Sequence, residues 1–178
     1  MENRKLTTRD LGTMGRGVYA TAKIFPGEFI ARFDGKIYYW DWPNIRLPND
    51  APEYVFEHAI PFADNYVRDS TGLARLVNHS CKPNCRIQDL FSIVAMHPIE
   101  AGQQLTWDYD TAQDDSSWFM HCNCGARECR QIIRGYSHLT TEQKHRCSSY
   151  TSEWILAKSV IVPRPSTAIA PSTIGLTT

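Results

Sequence analysis

The chain has no excess of charge of either sign: nineteen lysines and arginines meet nineteen aspartates and glutamates across 178 residues. Without a polybasic surface to neutralise a row of phosphates or hold an anionic membrane, direct nucleic-acid binding and membrane association are set aside. Long apolar runs are missing too. Nothing approaches the roughly 20 apolar residues of a membrane span, and the polar stretch from Met1 to Asp10 has no apolar run behind it. Neither a secretion signal nor a transmembrane helix is expected, and the chain reads as an intracellular monomer. Long helices are scarce before Trp107, and no internal repeat occurs at solenoid spacing. What is present, 42% hydrophobic and 21% charged residues, suffices for one substantial core with an appendage and excludes a wholly disordered chain.

From Val18 to Trp107 the apolar residues come in short runs rich in Val, Ile, Phe and Tyr, separated by Pro and Gly, which is the pattern of strands. Phe29 to Phe33 and Lys36 to Trp40 flank Asp34-Gly35, while Cys85 to Gln88 and Phe91 to His97 flank Asp89-Leu90. Each pair predicts a hairpin, and Asp-Gly has the better turn chemistry. Pro43, Pro48 and Pro52 make residues 41 to 53 a loop. Thr140 to Lys158, opened by Thr-Thr-Glu, predicts one capped helix. Beyond it, from Ser159, half the residues are Pro, Ser or Thr and Arg164 is the sole charge, which predicts a flexible tail.

Gly15-Arg16-Gly17-Val18-Tyr19-Ala20 matches the dinucleotide fingerprint G-x-G-x-x-A, with Asp34 near the distance of a ribose-binding acid. The context refutes it, because Leu6 to Met14 is polar rather than a buried strand and Pro26-Gly27 breaks any following helix. A Gly-x-Gly turn that admits a ligand to the backbone, or simply leads into a strand, survives. The six cysteines carry a stronger signal. Cys122, Cys124 and Cys129 form Cys-x-Cys-x4-Cys, and with no secretion signal expected such thiols point to a metal rather than to disulfides. A closed zinc site wants a fourth ligand, for which Cys81, Cys85, Cys147 and His121 are available.

Asn78-His79-Ser80-Cys81-Lys82-Pro83-Asn84-Cys85, taken with Leu105-Thr106-Trp107-Asp108-Tyr109, strongly resembles the SET-domain protein lysine methyltransferases. The likeness runs from about Leu11 to Gly135. Its segments fall in family order: Gly15-Arg16-Gly17-Val18, Phe33-Asp34-Gly35-Lys36, Arg75 to Cys81, Ala101 to Tyr109, and the post-SET cysteines. The resemblance implies a mainly β fold of small curved sheets in which the Asn-His-Ser and Leu-Thr-x-Asp-Tyr segments form a pseudoknot. It implies a catalytic domain over 1–120, a post-SET zinc segment over 121–136, a helix over 137–158 and a tail over 159–178. No pre-SET cysteine cluster precedes Gly15, so a compact stand-alone member is expected, with substrate reading left to the loop at 41–53 and the segment after Cys129.

By the same likeness, S-adenosylmethionine lies on one face and a lysine-bearing protein or peptide, a histone tail being the family's commonest, on the other. Met14, Gly15, Arg16 and Gly17 line the cofactor, with Tyr54, Arg75, Asn78 and His79 completing its pocket. Phe33, Trp107 and Tyr109 line the lysine channel. Tyr109 is the expected catalytic residue, and Cys81 becomes the fourth zinc ligand beside Cys122, Cys124 and Cys129, leaving Cys85 as a small buried hydrophobe. These residue types suit the chemistry. Freeing a lysine amine of its proton at pH 7 costs about 4.6 kcal/mol, and an apolar aromatic channel lowers part of that by penalising the ammonium.

Three positions depart from the family pattern. Phe33 stands where tyrosine is common and removes a hydroxyl, Lys36 replaces glutamate, and Trp107 stands where phenylalanine or tyrosine is usual. The missing hydroxyls favour di- or trimethylation, against which the bulk of the indole acts. A SET fold that binds peptide without turnover is the alternative reading, with Phe33 its support. A zinc-dependent scaffold explains the cysteines but not the Gly-x-Gly or Asn-His-Ser segments.

Overall fold

The structure, a computed structural model, describes residues 2–39, 55–114 and 118–160. In chain order these form β1 (Leu6–Asp10), β2 (Arg16–Ala20), β3 (Phe29–Arg32), β4 (Ile37–Tyr39), α1 (Val55–His58), β5 (Ile60–Ala63) and β6 (Tyr66–Arg68). There follow β7 (Asn78–His79), β8 (Cys85–Gln88), β9 (Ser92–Ala95), β10 (Thr106–Trp107), β11 (Met120–His121), β12 (Ile132–Ile133), α2 (Thr141–Cys147) and α3 (Glu153–Val160). The strands build five small sheets: β1-β2, β3-β9-β8, β4-β6-β5, β7-β10 and β11-β12. No described helix is long and apolar enough to cross a membrane.

The short apolar runs become strands because each buries its branched residues against another sheet. Val18 from β2, Ile30 from β3, Ile93 from β9 and Leu105 ahead of β10 have no exposed surface and meet in one core with Ile24 and Ile99. Each such side chain contributes roughly 1.5–3 kcal/mol of burial. Strand β9 is central and buried at all four residues.

The Asp89-Leu90 hairpin forms as expected: β8 and β9 pair antiparallel from Cys85–Ala95 to Gln88–Ser92, and both turn residues take positive φ, 52° and 64°. The Asp34-Gly35 hairpin does not form. Its two flanks are strands, but β3 pairs with β9 and β4 with β6, in different sheets. Gly35 serves close approach instead. Its N–H donates to the Asp69 carbonyl at 2.9 Å, and a β-carbon there would lie 2.9 Å from the same backbone.

The single helix expected over Thr140 to Lys158 is two. Thr140 caps α2 in a reciprocal capping box with Gln143, yet α2 stops at Cys147. The Thr151 hydroxyl donates to the Cys147 carbonyl at 2.9 Å, and Ser152 gives its N–H to Thr111 at 2.8 Å, which takes the backbone out of the helix. Then α3 begins, pinned by Trp154 Nε1–H on the Ala112 carbonyl at 3.1 Å, and runs through Ser159 and Val160, the first residues of the expected tail. The loop at 41–53 and the tail from 161 lie outside the described residues.

Candidate active site and cysteine cluster

Strands β7 and β10 run parallel, with Asn78 opposite Thr106 and His79 opposite Trp107. This sets the two segments singled out in the sequence side by side. The Tyr109 hydroxyl donates to the Val77 carbonyl at 3.1 Å, the Trp107 ring centre lies 4.7 Å from that of Tyr109, and Phe33 meets Trp107 edge-on at 6.5 Å. The three expected channel residues therefore share one cavity of about 50 Å³, lined also by Trp118, His58, Arg75 and Gln113. Burial pushes the Tyr109 phenol up, so it stays protonated at neutral pH.

Gly15 and Arg16 are the exposed part of the Gly-x-Gly turn, and Gly15 needs glycine for its φ of 71°. Gly17 is buried, and a β-carbon there would lie 2.6 Å from Gln104 Nε2, 2.9 Å from Leu11 and 3.1 Å from Asn78 Nδ2. Close packing within the protein thus accounts for Gly17. Asn78 Nδ2 donates to the Arg16 carbonyl at 3.3 Å and ties the turn to β7, while the one-turn helix carrying Arg75 packs against β2. Met14 ends the short turn before Gly15, and Tyr54 lies outside the described residues.

His79 is turned inward, its side chain 2% exposed. Burial pulls it down to about 4, with Arg130 acting in the same sense and Asp108 against. The ring is neutral, and both nitrogens are engaged: Nδ1 accepts from Tyr109 N–H at 3.1 Å, and Nε2 lies 3.4 Å from Cys81 Sγ.

The sulfurs of Cys81, Cys122, Cys124 and Cys129 all lie within 4.8 Å of one another, with Cys81 and Cys122 at 3.9 Å. Four thiolates about 2.3 Å from a tetrahedral zinc stand about 3.8 Å apart, so this donor set fits the ion. The other candidates are elsewhere. Cys85 is fully buried, its thiol pushed up to about 12 by burial, Cys147 donates to the Lys144 carbonyl of its own helix, and His121 is exposed.

Arg130, next to Cys129, is a residue the sequence reading missed. Its guanidinium forks onto Asp108, with Nη1 to Oδ2 at 2.9 Å and Nη2 to Oδ1, and reaches Asp110 Oδ2 at 3.1 Å. Both carboxylates are 1% exposed. Burial alone would lower Arg130, but the two acids hold it charged, above its usual value. Asp110 Oδ1 also accepts the N–H groups of Arg134 and Gly135 at 3.0 and 2.6 Å. Trp118 and Gln113 were missed as well. The available signals were two acids flanking Tyr109 and an arginine abutting the last cysteine of its cluster.

A family model described as the SET domain matches residues 15–110, more than half of the chain. The chain belongs to the SET-domain family. Among curated relatives it is 30% identical over 129 residues to the histone-lysine N-methyltransferase trithorax of Drosophila virilis, covering 67% of this chain and 3% of that protein. It is 32% identical over 136 residues to histone-lysine N-methyltransferase 2B of Homo sapiens, covering 67% of this chain and 5% of that protein. The probable histone-lysine N-methyltransferase lin-59 of Caenorhabditis elegans is 28% identical over 159 residues, covering 84% of this chain and 11% of that protein. This SET-domain chain thus spans a small part of the length of these relatives. Its fold is also that of KRYPTONITE in complex with mCHH DNA, H3(1-15) peptide and SAH, with a TM-score of 0.52 at 23% identity over 74% of this chain and 30% of that one.

Proposed function

We propose that the chain transfers a methyl group from S-adenosylmethionine to the side-chain amine of a lysine in a protein, with a histone tail as the first candidate substrate and the nucleus as its place of work. The observation that carries this is the convergence of Phe33, Trp107 and Tyr109 on one small cavity inside the SET-matching segment. The turn at Gly15 and Arg16, with Asn78 and Arg75 behind it, is the cofactor side. Cys81, Cys122, Cys124 and Cys129 hold a structural zinc, and residues 121–136 act as the post-SET segment.

When bound, S-adenosylmethionine supplies the electrophilic methyl, and the chain's own residues align the amine and keep water from it. Tyr109 is the catalytic residue. Its hydroxyl proton is committed to the Val77 carbonyl, which leaves the oxygen lone pairs to accept from the amine and orient it. A phenol pushed up by burial is no base at neutral pH, so its work is orientation rather than proton removal. Phe33 and Trp107 bring no acceptor into the channel, and this favours di- or trimethyl products.

Radiolabelled methyl transfer to a panel of histones and whole lysate, followed by mass-spectrometric site mapping at long reaction times, tests the reading. Labelled di- or trimethyl-lysine is expected. Tyr109→Phe is expected to lose on the order of 100-fold in kcat while cofactor affinity holds, as for a group that aligns the reactants. Absence of transfer together with absence of S-adenosylmethionine binding sinks the proposal, and strictly monomethyl product sinks its last part.

A further inference from the structure

We propose that the His79 ring is a positioning strut between the cysteine cluster and Tyr109, so that a metal held by the four sulfurs sets where Tyr109 stands. This rests on the reading that the cluster holds zinc and that Tyr109 faces the amine. An acceptor nitrogen carries no proton. The Tyr109 N–H at 3.1 Å from Nδ1 therefore puts the proton of the neutral ring on Nε2, which lies 3.4 Å from Cys81 Sγ. Flipping the ring would place carbons at both positions and lose both partners, and with the side chain 2% exposed no water replaces them.

Tyr109 is held at its other end as well. Its hydroxyl bonds the carbonyl of Val77, two residues before His79, so backbone and hydroxyl are both tied to the stretch that ends at Cys81. A second connection runs in parallel: Arg130 gives its backbone N–H to Cys81 Sγ at 3.3 Å and its guanidinium to Asp108, the residue before Tyr109. Both connections start from the Cys81 sulfur. A metal in the cluster fixes that sulfur, and directional bonds through a rigid planar ring carry its position to the Tyr109 amide. A ring that only filled space would carry nothing.

The test follows the Tyr109 amide resonance in ¹⁵N-labelled protein as zinc is removed by a chelator and returned. In the unaltered chain the resonance is expected to track zinc occupancy. His79→Phe keeps an aromatic ring in place and loses both bonds; its zinc affinity, read by chelator competition, is expected to fall roughly tenfold or more, as for loss of a bond to a metal ligand. Between its zinc-free and zinc-saturated forms, the Tyr109 resonance of this variant should move clearly less far than in the unaltered chain, the remainder being carried by Arg130 and Asp108. His79→Gln, with its amide nitrogen toward Cys81, restores that donor but places no acceptor where Nδ1 stood opposite the Tyr109 N–H. It should recover most of the zinc affinity while the Tyr109 shift stays reduced, a split that a packing role does not produce. Should the phenylalanine variant fail to fold, the unaltered chain and the glutamine variant decide. Zinc uptake that leaves the Tyr109 resonance of the unaltered chain unmoved, or a variant whose Tyr109 follows the metal as far as that of the unaltered chain, overturns the strut. No zinc uptake at all overturns it together with the metal reading. Tracking of zinc by Tyr109 in a chain that transfers no methyl supports the strut while the enzymatic reading fails.

Discussion

The cavity around Tyr109 and the segment that carries three of the four clustered cysteines are neighbours built on opposite principles. The cavity is walled by the main core: Phe33 is 2% exposed, Val77 1% and Trp107 6%, and all three pack with the isoleucines of the central sheets. The cysteine segment has two strands of two residues each, with Ile133 its one fully buried large side chain. Sulfur and charge hold it instead, through the cluster and through Arg130 on Asp108 and Asp110. Apolar burial holds the Phe33 and Trp107 walls whether or not a metal is bound, whereas the segment beside them is tied down by its metal and its ion pairs. A site assembled from both is a rigid wall with a conditional neighbour.

The largest effect is expected at the joint between the two regions. Arg130→Ala leaves two buried carboxylates facing each other without a cation and should cost about 3–5 kcal/mol, read from urea unfolding. A loss under about 1 kcal/mol would mean that water reaches Asp108 and Asp110, and the contrast between a dry core and a charged clasp would go with it. Next comes metal removal. With a chelator present, hydrogen exchange at the N–H groups of Cys122 and Arg130 should rise on the order of 100-fold, about 2.7 kcal/mol of local opening, while β3, β9 and β8 stay protected. Equal loss of protection in both places would erase the distinction.

The smallest effect sharpens the same contrast one thiol at a time. Burial raises Cys124, but bonds from the backbone N–H groups of Cys81 and Ala126 and from neighbouring thiols outweigh it and bring it down to about 6, whereas Cys85 in the core is pushed up to about 12. A thiol reacts as its thiolate, so raising the pH from about 5 to about 7 should speed alkylation of Cys124 in metal-free protein roughly tenfold. Peptide mapping should find Cys85 unmodified at both. Comparable labelling of the two would place them in like surroundings.

Motif spacing made the site's outline readable, and long-range pairing hid the rest. Phe33, Trp107 and Tyr109 were legible as a group because each sits in a recognisable segment, and they do line one cavity. Asp34-Gly35 misled because turn chemistry is local, while the partner of β3 is some sixty residues away in β9 and no local pattern encodes it. The less promising Asp89-Leu90 is the real hairpin, since the adjoining strands bury Ile87 and Ile93 into the same core. The break between α2 and α3 was invisible for a related reason: Ser152 leaves the helix for the carbonyl of Thr111, a partner that only the folded chain supplies. Arg130 escaped notice because a charged residue beside a cysteine reads as surface until two acids bury it.

The Asp108–Arg130–Asp110 clasp also bears on how the chain is made. A ribosome that has delivered Tyr109 has delivered Phe33, Trp107 and the whole β3-β9-β8 sheet, but not the cation that the two acids beside the tyrosine require. Until Arg130 emerges, burying those acids is too costly and they stay in water, holding the tyrosine segment out of place. Tyr109 therefore settles only once the segment beyond Cys129 has been made, because the chain before Arg130 carries the cavity's residues without the cation that fixes the tyrosine between its two acids.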